Sequence, residues 1–411
     1  MSFQQALSGL NAAAKNLDVI GNNVANANTI GFKGGRAEFA DVYAASVVQS
    51  TASQSGIGTK VAAVTQQFTQ GSITTTSNPY DVAISGNGFF RMDSQGATVY
   101  TRNGQFHRDD AGYLVNAEGL KLTGYSVNAN GQVVTAQPQP LQLVVNSIEA
   151  KATTKATQSV ILDSRKPAIA DNVAFDKNNS DTFTDANSMS LYDSLGNSHL
   201  LSVYYRKTDA GEWDTYYSFD GGEAKKVASM QFNTSGQLMS IDGNVDKLQP
   251  TITIPAAQMT TGAADLTFTY DMSKTTQTGQ AFSTNTQTQD GYTSGRLTGF
   301  SIDETGSLLA SYSNQQSRVQ GQIALGMFNN PTGLASIGGN NFAETAASGT
   351  PRLGSPGSSD FGTVRSGALE EANIDLTAEL VNMITAQRGY QANAQTIKTQ
   401  DSIMQTIVNL R

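Results

Sequence analysis

Residues 373–411, NIDLTAELVNMITAQRGYQANAQTIKTQDSIMQTIVNLR, decide how the rest of the chain is organised. Stepping alternately by four and three from Leu376 visits Leu380, Met383, Gln387, Tyr390, Ala394, Ile397, Asp401, Met404 and Val408. All but Gln387 and Asp401 are apolar, a heptad stripe rather than the alternation of a strand. Asp375 is placed to cap the helix, with Glu370, Glu371 and Glu379 at its start and Lys398 and Arg411 toward its end, the order the helix dipole favours. At 1.5 Å per residue the rod is about 50 Å long, more than one compact domain needs. Gly389 and the polar seam residues weaken it, so it requires cover.

The other end of the chain offers that cover. From Phe3 the same walk visits Leu7, Leu10, Ala14, Leu17, Gly21 and Val24. Two terminal stripes flanking a middle of different character predict N- and C-terminal α-helices paired as a coiled coil, although each stripe also suits an ordinary amphipathic helix on a globular core. Phe3, Leu7, Leu10, Leu17, Val24, Leu376, Leu380, Met383, Tyr390, Ile397 and Met404 are the candidate assembly seam.

Moving inward, Gly21 to Lys33 and the following Gly34-Gly35 contain four Asn and four Gly, a structured turn after the first helix. Residues 36–70, with a Ser/Thr/Gln-rich piece from Gln49 to Ser55, read as an extended connector. From Ser72 strands take over, at Val82 to Ile84, Phe89 to Met92, Val99-Tyr100, Tyr113 to Val115 and Leu120 to Leu122. Between strands a turn recurs with Asp or Asn first and Gly fourth: Asp93–Gly96, Asp109–Gly112, Asn116–Gly119, Asn128–Gly131, Asp193–Gly196, Asn233–Gly236 and Asp303–Gly306. That is type I turn chemistry, with Gly supplying the left-handed step of a bulged hairpin. The repeat predicts antiparallel β-rich middle domains.

A break near Val145 and the Thr/Gln-rich stretch Thr275 to Thr288 delimit a second β-rich segment, with Tyr204-Tyr205, Trp213, Tyr216-Tyr217 and Phe219 as its core. Strands then resume at Leu297 to Ile302, Leu308 to Tyr312 and Gln322 to Met327, which predicts one β-domain inserted in another. The expected layout is 1–24 plus 372–411 helical, 25–71 plus 360–371 connector, 72–145 plus 285–359 split β-domain, and 146–284 inserted outer domain. Gly349 to Gly367 reads as a linker. Gly21, Gly31, Gly34, Gly35, Gly362 and Gly367 are the candidate hinges of the connectors.

Composition narrows the function. Twenty-six Lys and Arg against 34 Asp and Glu give a net charge of -8, which argues against a nucleic-acid partner. Charged residues are 15% of the chain, below the usual quarter, so the surface is polar but mostly uncharged. With no cysteine there is no thiolate nucleophile, disulfide or Cys-ligated metal. No apolar run is long enough to enter a membrane, and residues 1–30 lack the pattern of a cleaved secretory signal. His107 and His199, the only histidines, sit near hairpin turns and read as satisfied surface residues. Gly86-Asn-Gly88 reads as a tight turn rather than a dinucleotide loop, and Asp176 to Asn187 departs from a calcium loop at its sixth and twelfth positions. Asp109-Asp110 and Glu370-Glu371 read as a turn and a helix start. No catalytic, cofactor or metal site is expected.

The stretch Asn16-Leu-Asp-Val-Ile-Gly-Asn-Asn-Val-Ala-Asn-Ala-Asn-Thr-Ile-Gly-Phe-Lys33 resembles the N-terminal signature of bacterial flagellar rod and hook proteins, and Glu379 to Lys398 resembles its C-terminal counterpart. Tyr100-Thr-Arg-Asn-Gly-Gln-Phe106 and Asp290-Gly-Tyr-Thr-Ser-Gly-Arg-Leu297 are also similar to that group. The large insert is similar to the hook branch, since distal-rod-type members generally lack it. The resemblance implies a structural subunit that self-assembles into a hollow, flexible, torque-transmitting helical tube. It implies as partners further copies of the chain, rod proteins, a hook cap protein, hook–filament junction proteins and the flagellar export apparatus. It also implies an extracellular location on the flagellum, reached without a cleaved signal. Two other classes compete. A secreted glycan-processing enzyme would need a carboxylate pair across a cleft, and a β-rich adhesin gives no reason for paired terminal heptads.

Overall fold

The computed structural model describes residues 2–42, 56–128, 131–170 and 172–409. The Gln49 to Ser55 piece, the middle of the Asn128–Gly131 turn, and Arg411 lie outside them. The chain divides into two compact units, one of residues 1–145, 299–311 and 317–411, the other of 146–298 and 312–316.

The first unit contains both chain ends. Helix α1 spans Ser2–Ala25 and helix α2 spans Leu376–Asn409. Asp375 caps α2 as expected, its Oδ1 accepting from the Thr377 and Ala378 amides at 2.9 and 3.1 Å. Lys398 lies about three turns before the helix end, too far in to serve the final carbonyls.

The stretch expected as an extended connector is an antiparallel ribbon of β1 (Gly35–Val42) and β2 (Gly58–Gln66). At the other end of the connector, Thr363–Ser366 pairs with Val82–Ser85, and Ala368–Glu370 pairs with Ile73–Thr75. Even within the expected linker, Arg352–Gly354 pairs with Leu325–Met327. These segments lack hydrophobic periodicity because each is only three or four residues long.

One larger sheet joins strands from both sides of the insert: Lys121–Tyr125 pairs with Ser317–Ile323 and with Phe89–Ser94, which continues through Ala97–Thr101 to Asn341–Ala343. Because strand side chains alternate in direction, neighbouring Phe89 and Phe90 serve different cores. Phe90 packs with Met92, Leu122 and Leu325, while Phe89 joins Tyr100, Phe328 and Phe342 in an edge-to-face aromatic cluster closed by Phe68.

The second unit is two five-stranded sheets. One is a meander of Asp185–Tyr192, Ser198–Asp209, Glu212–Phe219, Ala224–Phe232 and Leu238–Ile241. The other centres on Lys155–Asp163, flanked by Leu266–Asp271 and Ser283–Gln289. This last pairing carries the unit past the expected boundary at 284, which falls inside a strand. The Thr/Gln alternation of that strand is exposed along most of its length, so it carries no core signal.

Tyr205, Trp213, Tyr217 and Phe219 are buried between the two sheets, and Trp213 Nε1 donates to Gln277 Oε1 at 2.7 Å. Tyr204 and Tyr216, expected beside them, point to the opposite face. There Phe175 stacks on Tyr216 with 4.1 Å between ring centroids.

The Asx-first, Gly-fourth turns form as their chemistry dictates. In Asn116–Gly119, Asp193–Gly196, Asn233–Gly236 and Asp303–Gly306 the fourth amide bonds the first carbonyl at 2.9 to 3.1 Å. The first side chain accepts from later amides, as Asp303 Oδ1 does from Thr305 and Ser307. Asp93–Gly96 differs. Its strands close over two residues, Gln95 and Gly96, both at positive φ, the geometry of a primed hairpin turn.

Candidate assembly surface

Helices α1 and α2 pack antiparallel. Gly9 lies against Asn393, Ala12 and Ala13 share a groove with Ala386 and Gly389, and Ile20 and Asn23 share one with Glu379 and Asn382. The contacting positions are mostly Gly, Ala and Asn, whose small side chains let two backbones approach closely. On both helices this line sits one residue before the heptad stripe, a rotation of about 100° around the axis. The apolar stripes are therefore left beside the contact rather than inside it.

Phe3, Leu7, Leu376, Leu380 and Met404 are 42% to 60% exposed, and Tyr390 is exposed as well. Leu10, Leu17, Val24, Met383 and Ile397 are half-buried at the flank of the contact. Val381, Ile384 and Ile403 widen the exposed apolar face and were missed by the heptad walk because they fall beside it. Since Gly9 is level with Asn393, the α2 residues beyond about Gln400 extend past the start of α1. Met404 and Val408 stand uncovered there.

The helix pair is anchored where the two ends of the chain meet the sheet. Asn23 holds Gly35 by two reciprocal bonds of 2.8 Å, and Asn373 Oδ1 accepts from the Gly34 amide at 2.8 Å. Beneath them Glu370, expected at a helix start, is wholly buried in a strand. Its carboxylate accepts from Lys33 Nζ at 2.6 Å, Arg102 at 3.0 Å and the Gly71 amide at 3.0 Å. Lys33 also donates to the Thr69 carbonyl at 2.8 Å, and Arg102 lies over the Phe89 ring. Burial pulls the Lys33 ammonium below the usual lysine range, and Glu370 pulls the other way.

The expected hinge glycines are mostly close-approach positions. Gly31 has φ +70°, and a Cβ there would lie 2.5 Å from the Asn103 nitrogen. Gly34 abuts Ile374, Gly362 abuts Ser85 and Gly86, and Gly367 faces Thr76. Such contacts fix neighbouring segments instead of freeing them. Gly21 alone of the six lies inside a helix with open space around it. Replacing Gly31 with Ala is expected to destabilise the first unit by about 1–3 kcal/mol. Its urea midpoint should fall while the emission of Trp213, which lies in the second unit, keeps its transition.

His107 is exposed, but His199, expected at the surface, is buried between two aspartates.

Family models match along most of the chain. They are the flagella basal body rod protein at 3–33, the flagellar hook protein FlgE/F/G D1 domain at 83–164, the flagellar basal body protein FlaE D2 domain at 161–292, and the flagellar basal body rod FlgEFG protein C-terminal at 365–410. The chain is 44% identical over 420 residues to the flagellar hook protein FlgE of Salmonella typhimurium, covering 100% of each. It is 44% identical over 417 residues to that of Escherichia coli, again covering 100% of each. The Borreliella burgdorferi protein of the same name is 34% identical over 443 residues, covering 100% of this chain and 99% of the relative. The crystal structure of Helicobacter pylori flagellar hook protein FlgE2 shares the fold, with TM-score 0.53 at 15% identity, over 71% of this chain and 99% of that one.

Proposed function

The chain belongs to the flagellar hook protein family, and we propose that its copies join into the hook through the apolar faces that α1 and α2 leave uncovered. It is a hook subunit, and its role is structural. The observation that carries the proposal is the offset helix contact, which spends small residues inside the chain and leaves large apolar ones outside. A contact made by one surface of a copy with a different surface of the next does not close on itself and generates an open helical array. Among the described residues no helix is long and apolar enough to cross a membrane.

As partners we propose further copies of the chain along the tube, rod proteins at its base, a cap protein during growth and junction proteins at its far end. The subunit would reach the cell exterior through the flagellar export apparatus. Torque would then pass along the tube through the stacked units.

A chain lacking residues 2–25 and 376–409 tests this. It is expected to keep the buried emission of Trp213 yet form no tubes under the electron microscope at concentrations where the full chain polymerises. Normal tubes from the shortened chain would overturn the proposal.

A further inference from the structure

In the second unit, His199 bridges two hairpin turns. Its Nδ1 is 2.6 Å from Asp220 Oδ2, and its Nε2 is 3.1 Å from Asp193 Oδ2. The ring is 6% exposed and stacks on Phe219 at 4.9 Å. Neutral imidazole has one N–H, so it can donate to only one of these carboxylates, whereas the imidazolium donates to both.

Each carboxylate is already committed. Asp193 Oδ1 accepts from the Leu195 and Asn197 amides, and its Oδ2 from Asn197 Nδ2 and Thr261 Oγ1. Thr261 belongs to the loop leading into Leu266–Asp271 of the facing sheet, so this aspartate ties the two sheets together. Asp220, at φ +50°, accepts from the Leu200 amide at 2.7 Å. Further charged groups on the flanking segments include Asp176, Lys177, Glu223, Lys225 and Asp265. Lys177 Nζ donates to the Gly222 carbonyl, and Asp265 accepts from the Ala256 amide. Among the described residues only Asp193 and Asp220 bond the ring.

We propose that His199 is held as an imidazolium crosspiece between the turns at 193–196 and 220–222, and that losing its proton as pH rises loosens this end of the second unit. Burial disfavours the charge, yet the two carboxylates outweigh it and hold the imidazole above its ordinary value. The sign follows from linkage. Below the unfolded-state value of about 6.5 the crosspiece contributes fully, and its contribution is lost as pH rises through the folded-state value. Asp193 is held well below the usual carboxylate range, so its share persists above that range and fails only in acid.

The test is nitrogen NMR of the full-length, unpolymerised chain with labelled histidine, assigned with a His107→Gln variant. His199 is expected to keep both ring N–H signals to higher pH than the histidines of the urea-unfolded chain. The Trp213-monitored urea midpoint is expected to fall as pH passes the His199 midpoint. His199→Gln risks misfolding, so Asp220→Asn, at a half-exposed turn position that Asn tolerates, is the informative variant. It is expected to lower the His199 midpoint by about one to three units. An imidazole that deprotonates no later than in the urea-unfolded chain, or a midpoint unmoved by Asp220→Asn, would overturn the proposal.

Discussion

Glu370→Ala is expected to destabilise the first unit by about 3–5 kcal/mol, because it leaves two buried cations without their shared carboxylate. Lys33 and Glu370 have fully buried side chains and that of Arg102 is 5% exposed, so water cannot replace the lost partner. The Gly71 amide and the Lys33 ammonium lose an acceptor together. The two-unit architecture gives the experiment an internal control. Trp213, the only tryptophan, reports the second unit, and hydrogen exchange of the Val82–Ser85 and Phe89–Ser94 amides reports the first. The first unit's transition should move to lower denaturant while the Trp213 transition stays in place. A triple variant with Lys33→Met, Arg102→Met and Glu370→Leu is expected to recover much of the loss, since apolar residues of similar volume often replace a buried ion triad without penalty. If Glu370→Ala shifted the first unit by less than about 1 kcal/mol, the triad would be peripheral to its stability.

The other large effect concerns the surface left open by the helix pair. Leu380 and Ile384 are 44% and 51% exposed on α2, so changing either to Asp should leave the free subunit folded. In the assembled array each is expected to be covered by a neighbour. Losing the burial of one such side chain costs about 2 kcal/mol, before any cost of burying the new charge. At 1.4 kcal/mol per tenfold, the critical concentration for polymerisation should rise about 30-fold or more. The control is Thr399→Asp on an exposed polar stretch of the same helix, which adds the same charge without removing an apolar group. Sedimentation of polymer over a concentration series reads the difference. Equal critical concentrations for Leu380→Asp and Thr399→Asp would show that the stripe is not what neighbours cover.

Local features of this fold were legible in the sequence, and those assembled from distant segments were not. The heptad stripes and the Asx-to-Gly turns lie within a few residues of one another, so periodicity and turn chemistry expose them directly. The face by which the helices meet was hidden because a line of Gly9, Ala13, Gly389 and Asn393 carries no hydrophobic signal. Glu370 looked like a helix-start carboxylate because its partners Lys33, Gly71 and Arg102 come from three far segments, although Lys33 and Arg102 both lie inside the stretches that carried the family resemblance. Half of the His199 bridge was local, since Asp193 stands in the preceding turn. The other half, Asp220, arrives only through the pairing of Ser198–Asp209 with Glu212–Phe219. The edge strand Ser283–Gln289 read as the close of the second β-rich segment rather than as a strand of it, because its uncharged polar side chains face water.

The distance along the chain between Lys33 and Glu370 is 337 residues. The ammonium therefore has no counterion until nearly the whole polypeptide exists and its late segment has come back to its early one, and contacts of such long separation form slowly. A copy broken off or stopped anywhere before residue 370 carries two cations it cannot bury. Such a shortened copy is expected to leave the first unit's buried charges unpaired, whatever the state of the second unit.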